Sequence, residues 1–413
     1  MKDSIGFEAS SGARADQHSG PADATPAPRL MRAAVLHDVA RMDVQDIARP
    51  EPGPRDVLVR VSAVGLCGTD FHIFEGHANY QTDRRGRPIP LRDAPQILGH
   101  EIAGTVLDIG RDVRDLAPGD AVVLDQGLNC SSAARDPQCE YCATGDSHQC
   151  EQYAEHGITG LQGGLADYLV VPAVNAIRRE GGLSDEEAAL TEPLACIIHS
   201  SQAVVHAGAA SRYQIGASDL KRRVNSVLVA GAGPAGLLFI QYLRQVAGFE
   251  GLLLVSEPDA GKRALAARFG AEPIDPRATH VVDAVLDRTN GRRVEYLIDA
   301  SGAAQVFMDM PGLIRKQATV LLYAHGQSGL DLSVLNNIQF KEPTLVSPVG
   351  ASGGFDPDGR PSVYRQALRL LESGRISVQP FITDRYRSLD AVPEAFGGAH
   401  RRPGYVKGVA LLA

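Results

Sequence analysis

Three glycines, Gly231, Gly233 and Gly236, punctuate the run VNSVLVAGAGPAGLLFIQYLRQ, in which a β-branched apolar segment passes directly into a helical pattern. A strand-to-helix turn this tight needs residues without Cβ. The second glycine lets backbone approach a pyrophosphate, and the helix N-terminus offers free N–H groups and a positive dipole end. Pro234 and Ala235 complete the loop. Taken alone the motif is weak; its position between strand and helix gives it meaning. Residues 224–300 go on alternating β-branched runs (VNSVLVA, GLLLVSE, VEYLIDA) with helical segments (AGLLFIQYLRQVAG, DAGKRALAARFG). TVLLYAHG follows another candidate helix, and the whole predicts a doubly wound parallel sheet. Glu257 ends the strand GLLLVSE, where a carboxylate can accept hydrogen bonds from adenosine ribose hydroxyls and repel a 2′-phosphate. NAD is therefore favoured over NADP, with Lys262 and Arg263 close enough to leave NADP open.

The preceding segments have a different texture. MRAAVLHDVARMDVQDIA and DVLVRVSAVGLCG alternate apolar and polar residues on either side of the turn RPEPGPR, and EIAGTVLDIG, AVVLD and LADYLVVP continue the pattern. Residues 31 to about 175 thus read as a mainly β domain. LSDEEAALTEPLACIIHSSQAVVHAG reads as one helix with Ser184 as N-cap. PSVYRQALRLLESGRI reads as a later helix, and YVKGVALL as a final strand that could return to the first domain. The 413 residues accommodate two domains of ordinary size. A net charge of −8 without a Lys/Arg tract argues against nucleic acid or an anionic membrane as partner, which leaves a small molecule. No run approaches the roughly 18–20 apolar residues of a membrane span. Residues 1–30, rich in Ser, Gly, Ala, Asp and Pro without a signal-type apolar core, read as a disordered extension. A cytoplasmic location is expected, and in a reducing compartment clustered cysteines are more often metal ligands than disulfides.

Four of the six cysteines, Cys130, Cys139, Cys142 and Cys150, crowd into NCSSAARDPQCEYCATGDSHQC. Elsewhere Cys67 lies in AVGLCGTDFH, His100 and Glu101 in ILGHE, and Glu192 in LTEPLACIIH. Each has an ordinary explanation alone: a small core residue, a hydrogen-bonded core histidine, a carboxylate at a helix start. Together they are a thiolate, an imidazole and carboxylates, a set that suits zinc with one position left open for water or substrate. An alcohol activated there would be ready to give up hydride to the nicotinamide. Thr69 could hydrogen-bond that alcohol and His72 could carry its proton to solvent.

These blocks together (AAVLHD, PEPGPRDVLVRVSAVGLCGTDFH, LGHEIAGTV, PGDAVV, GGLADYLVVP, EPLACIIH, GAGPAGLL and the acid of VSEP) resemble the medium-chain, zinc-dependent alcohol dehydrogenase family, most closely its polyol (sorbitol-type) and threonine dehydrogenase branch. The resemblance implies an α/β fold in which a GroES-like, mainly β catalytic domain (31–205 and 351–413) surrounds a Rossmann coenzyme domain (206–350). It implies an NAD(P)-linked dehydrogenase of a secondary alcohol, on a polyol, sugar, cyclitol or amino-alcohol, acting as a homodimer or homotetramer. Two zinc ions per chain are implied. The catalytic ion would be held by Cys67, His100 and Glu192, with Glu101 a ligand or close neighbour. The structural ion would be held by a lobe normally spaced C-x2-C-x2-C-x7-C, whose last three positions match Cys139, Cys142 and Cys150. Its first position falls on Asp136, with Cys130 six residues early, so either is a candidate fourth ligand and Cys130 is preferred because closed sites favour sulfur. Cys196 reads as a buried thiol. A zinc-free quinone or enoyl reductase and a non-catalytic nucleotide-binding regulator are the alternative functions. Three long loops depart from the family. EGHANYQTDRRGRPIPLRDAPQ is expected near the zinc cleft with its arginines, SRYQIGASDLKRR precedes the cofactor strand, and QFKEPTLVSPVGASGGFDPDGR faces either substrate or another subunit.

Overall fold

A computed structural model describes residues 29–208, 211–325 and 329–412. All but the last two residues of the expected N-terminal extension lie outside them.

Six parallel strands follow from the glycine loop: Ser226–Ala230, Leu252–Ser256, Glu272–Ile274, Val294–Asp299, Ile314–Leu322 and Thr344–Val346. Counted from Ser226–Ala230, their order across the sheet is 3-2-1-4-5-6, the doubly wound order of a dinucleotide-binding domain. The two central strands are buried at every position, which is why they read as unbroken apolar runs rather than alternating ones. The chain order reverses between Ser226–Ala230 and Val294–Asp299, so a crevice opens at their carboxyl ends. The helix Pro234–Gln241 begins at that crevice with Gly233 as N-cap and proline in its first turn.

The mainly β region is a seven-stranded sheet in the order Ala176–Arg178, Ala121–Leu124, Glu101–Ile109, Asp56–Leu66, Lys407–Leu411, Ile382–Tyr386, with Tyr168–Pro172 also paired to Asp56–Leu66. The terminal run YVKGVALL does return to this sheet, antiparallel to Asp56–Leu66. Its register is what assembles a site. Gly408 lies opposite Leu66 and Gly65 lies opposite Glu101, so three strand ends bring Lys407, Cys67 and the His100–Glu101 pair to one place.

The segment expected as one helix after Ser184 is two. Ser184 caps Asp185–Ala189 in a reciprocal pair with Glu187, and the chain then breaks at Leu190 before Thr191–Ala207 begins. The break sets Glu192 in the first turn of a new helix, beneath the catalytic sheet. That helix packs on Pro234–Gln241 and on Ser362–Glu372, and one hydrophobic core runs through Ala63, Leu194, Val227 and Leu371. The helix after the glycine loop also changes pitch, ending in a π-type turn over Tyr242–Val246 that periodicity does not signal.

Candidate active site and metal centres

Cys67 ends the strand Asp56–Leu66 and caps the short helix Gly68–Phe74. Asp70, wholly buried, organises its surroundings: Oδ2 accepts from the Cys67 N–H (2.8 Å) and Oδ1 from the Gly99 N–H (3.1 Å). The same Oδ1 lies 3.4 Å from His100 Nδ1, so the imidazole turns its other nitrogen toward Cys67. Cys67 Sγ, a His100 ring nitrogen and a Glu101 carboxylate oxygen all lie within 4.8 Å of one another. Glu101 Oε1 pairs with Lys407 Nζ, while Oε2 is buried without a hydrogen-bond partner among the described residues. Room for that oxygen exists because residue 65 is glycine; a Cβ there would sit 2.0 Å from it. A thiolate, an imidazole and an orphaned carboxylate oxygen converging inside a sheet fit a divalent cation of zinc type.

Glu192 does not join that group. Its Oε1 is drawn aside by Gln126 Nε2 (3.1 Å) and Cys196 Sγ (3.2 Å), because the helix break aims the side chain at those donors. Its pKa is pushed up to about 7, chiefly by burial; His100 opposes the shift and Glu101 adds to it by like charge. Cys196 is buried, and its thiol is pushed well up by burial and by the Glu192 charge. Lys407 is fully buried as well; burial alone would favour its neutral form, but Glu101 and Cys67 raise its pKa and keep it charged.

Thr69 Oγ1 lies 3.8 Å from Cys67 Sγ. His72 is on the wall of a cleft of 780 Å³, with the His77 ring centred 6.0 Å away. The opposite wall comes from the carboxyl end of the parallel sheet and its neighbours: Phe307, Leu322, Ala324, His325 and Leu330. The first long loop reaches this cleft through His77, Ala78 and Tyr80, not through its arginines. Arg84, Arg85, Arg87 and Arg92 are exposed, and Arg87 pairs with Asp83. The loop before the cofactor strand contributes no residue to the cleft; Arg222 instead donates to the Ser211 and Arg212 carbonyls. The third loop divides its role: Ser347 lines the cleft, and Ser352 accepts from the His148 N–H (3.0 Å) against the cysteine lobe.

In that lobe the sulfurs of Cys130, Cys139, Cys142 and Cys150 all lie within 4.8 Å of one another, unlinked by any disulfide. The Cys130–Cys150 and Cys139–Cys150 separations are 3.8 and 3.9 Å. Four sulfurs about 2.3 Å from a central zinc would stand about 3.8 Å apart, so the cage has the size of a closed tetrahedral site. Backbone N–H groups of Cys142 and Glu151 lower the Cys139 thiol to about 6, toward the thiolate a metal needs. Cys130 belongs to this quartet and Asp136 does not.

At the coenzyme end Gly231 has φ +95°, and a Cβ on Gly236 would lie 2.0 Å from the Gly231 carbonyl oxygen, so both positions require glycine. Gly233 faces open space, which leaves its backbone approachable. Glu257 is buried, with Oε2 accepting from Ala232 N–H and Oε1 from Asp259 N–H, both at 2.8 Å. Arg263 turns away to the Glu257 and Pro258 carbonyls and to Asp275, while Lys262 is half-buried in the first turn of Ala260–Arg268.

Residues 53–180 match the family described as alcohol dehydrogenase GroES-like domain, and residues 234–373 the family described as zinc-binding dehydrogenase. L-threonine 3-dehydrogenase of Pyrococcus furiosus is 31% identical over 86% of this chain and 90% of its own. The chain belongs to the medium-chain, zinc-dependent alcohol dehydrogenases, in their polyol and threonine dehydrogenase branch. L-idonate 5-dehydrogenase of Vitis vinifera is 28% identical over 91% of this chain and 93% of its own. A zinc-binding dehydrogenase of Sinorhizobium meliloti, solved bound to NADP, superposes with a TM-score of 0.74 at 28% identity, over 93% of this chain and 99% of that one.

Asp70, Lys407 and Gln126, which bond to Cys67, Glu101 and Glu192, are residues that motif reading passes over. Asp70 alone carries a local signal, an acid three residues after Cys67 in capping-box spacing. The choice between Cys130 and Asp136 is open to metal analysis. Cys130→Ser should lower zinc from two ions per chain to one, whereas Asp136→Asn should keep both; the reverse pattern would overturn the quartet.

Proposed function

We propose that this dehydrogenase interconverts a secondary alcohol and its ketone, on a polyol, sugar, cyclitol or amino-alcohol, with NAD as the hydride acceptor. The observation that carries the reading is the convergence of Cys67, His100 and Glu101 beside the cleft that the parallel sheet shares with the catalytic sheet. When bound, zinc acts as a Lewis acid that acidifies a hydroxyl, and the nicotinamide accepts hydride. Cys67, His100 and Glu101 hold the metal, with Glu192 standing beside them as a carboxylate that can exchange in. Asp70 fixes the His100 ring. Thr69 Oγ1 accepts the hydrogen bond of the substrate hydroxyl and, as it takes that proton, gives up its own toward His72, which is exposed on the cleft wall and releases a proton to solvent. Phe307, Leu322 and Leu330 exclude water from the reacting carbon. Cys130, Cys139, Cys142 and Cys150 hold the structural ion. We keep the division into a catalytic part, 31–205 with 351–413, and a coenzyme part, 206–350.

Gly231, Gly233, Pro234, Ala235 and Gly236 cradle the pyrophosphate, and Glu257 meets the adenosine ribose, with Lys262 at the rim. Supporting NAD is the placement of Glu257: both of its oxygens are pinned by backbone N–H groups, so the carboxylate cannot swing out to admit a 2′-phosphate. We place the chain in a reducing compartment, the cytoplasm; the support is that its six cysteines carry no disulfide among the described residues, and fractionation against compartment markers checks this. No described helix is long and apolar enough to cross a membrane. For assembly the support is the strand Thr344–Val346, an edge of the parallel sheet among the described residues, which exposes Leu345, together with Phe340, 82% exposed, on the segment just before it. A homodimer or homotetramer would cover it.

Four outcomes are expected. Chelation should abolish NADH production across a panel of polyols, cyclitols and amino-alcohols, and zinc should restore it; Thr69→Val should then lower kcat by about 10²-fold or more with metal content unchanged. Metal-independent turnover would sink the reading. Steady-state kinetics should give a higher kcat/KM with NAD than with NADP, and a clear NADPH preference would refute the role of Glu257. Light scattering should report a dimer or tetramer that Leu345→Asp with Phe340→Asp dissociates; a native monomer would count against the assembly.

A further inference from the structure

Behind Glu192 lies a buried polar group that neither metal centre explains. Gln126, 2% exposed, follows the strand Ala121–Leu124. Its backbone is clamped on both sides by Asn175, whose Nδ2 donates to the Asp125 (3.1 Å) and Gly127 (2.8 Å) carbonyls. Tyr364 donates its hydroxyl to Gln126 Oε1. Gln126 Nε2 donates to two carboxylates, Glu192 Oε1 at 3.1 Å and Glu155 Oε1 at 3.3 Å. Tyr153 donates to the same Glu155 oxygen (2.9 Å) and packs against the buried cluster of Cys130, Cys142 and Cys150.

The chemistry sets the amide's direction. An ionised carboxylate only accepts, so the NH₂ faces Glu192 and Glu155; a flipped amide would oppose oxygen to oxygen wherever these carboxylates are ionised. A carboxamide is also the side chain that can supply two donors on one atom and still accept from a tyrosine. The consequence concerns Glu192. With Gln126 and Cys196 donating to it, its charge is satisfied away from Cys67, His100 and Glu101. Without the Gln126 donor, the strongest partner within reach would be the cation at that centre.

We propose that Gln126 is a positioning residue that holds Glu192 back from the Cys67–His100–Glu101 metal centre and, through Glu155 and Tyr153, ties that carboxylate to the cysteine lobe. This rests on the reading of that centre as a metal site. It makes the lobe more than a distant clamp: an ordered lobe holds Tyr153 and Glu155, these orient Gln126, and Gln126 sets how many protein ligands the metal has.

The test uses the full chain with cobalt exchanged into the Cys67 centre and zinc kept in the lobe, because the visible bands of cobalt weaken as its coordination number rises. Gln126→Met keeps the side-chain length and removes both donors. It should weaken those bands and slow metal release to a chelator by roughly 10-fold, the low end of the range for residues that orient metal ligands. In a Glu192→Ala background the same substitution should change neither readout. Tyr364→Phe, a smaller perturbation that serves if Gln126→Met does not fold, should move the bands in the same direction, and Tyr153→Phe should do so less. Unchanged bands in Gln126→Met and Tyr364→Phe, or a change that persists without Glu192, would overturn the positioning role; unchanged bands in Tyr153→Phe alone would overturn the tie to the lobe. A parent protein that takes up no cobalt at Cys67 would instead overturn the metal-site reading itself.

Discussion

The contact on which this architecture turns is the buried pairing of Lys407 with Glu101, two residues 306 positions apart. It exists because the last strand returns to lie antiparallel to Asp56–Leu66, and it fixes the register in which that strand can lie. A one-residue slip would carry the ammonium to the other face of the sheet and leave a carboxylate alone in the core. Breaking such a buried pair by removing one partner typically costs about 3–5 kcal/mol, much of it the unpaired charge left behind. The pair is therefore better viewed as a device of specificity than of net stability. Because Cys67 ends the neighbouring strand, whatever holds that register also holds the thiol beside His100 and Glu101.

The second constraint is the inserted parallel sheet. A ligand binds such a sheet at the carboxyl ends of its strands, and here those ends face the wall that carries His72, His77 and Tyr80. The helix Thr191–Ala207 packs against elements of both regions while carrying Glu192 in its first turn. One hydrophobic core thus connects the surface that would carry the coenzyme to the carboxylate beside the metal centre. The cysteine lobe is braced in turn by the third loop: Gly350 lies so close to the His148 ring that a Cβ there would stand 2.1 Å from it, and Ser131 donates to the Gly359 carbonyl at 2.7 Å.

Legibility in the sequence followed the range of the interaction. The glycine loop, the strand–helix alternation and the Ser184 cap are set by neighbours within a few residues, and each is plain in the one-dimensional pattern. In the cysteine quartet three members were legible from spacing and the fourth, Cys130, only from the preference of closed sites for sulfur, since the insertion after it defeats fixed spacing while chain folding restores the distance. Lys407, Gln126 and Glu155 were not legible, because each acquires meaning only from a partner supplied by another strand or helix. Glu192 shows the limit most clearly. Its position beside the centre followed from the motif, but its direction depends on a helix break at Leu190 and on a glutamine that follows a strand distant in sequence.

Charge arithmetic explains why that direction matters. Asp70, Glu101 and Glu192 are three buried carboxylates facing one buried ammonium, Lys407, and the His100 imidazole; one negative charge is left over with His100 charged, and two with it neutral as a metal ligand, before the Cys67 thiolate is counted. An interior cannot hold such an excess unaided: either a divalent cation compensates it or protons do. Glu192, raised to about 7 by burial, is a carboxylate in this group that can give way to a proton. Asp70 cannot, because two backbone N–H groups and His100 hold its pKa below the usual value against the pull of burial. Nor is Glu101 free to move, being paired with Lys407. The adjustable carboxylate is thus Glu192, and the groups that adjust it are Gln126 and Cys196, neither of which belongs to the zinc-type ligand set.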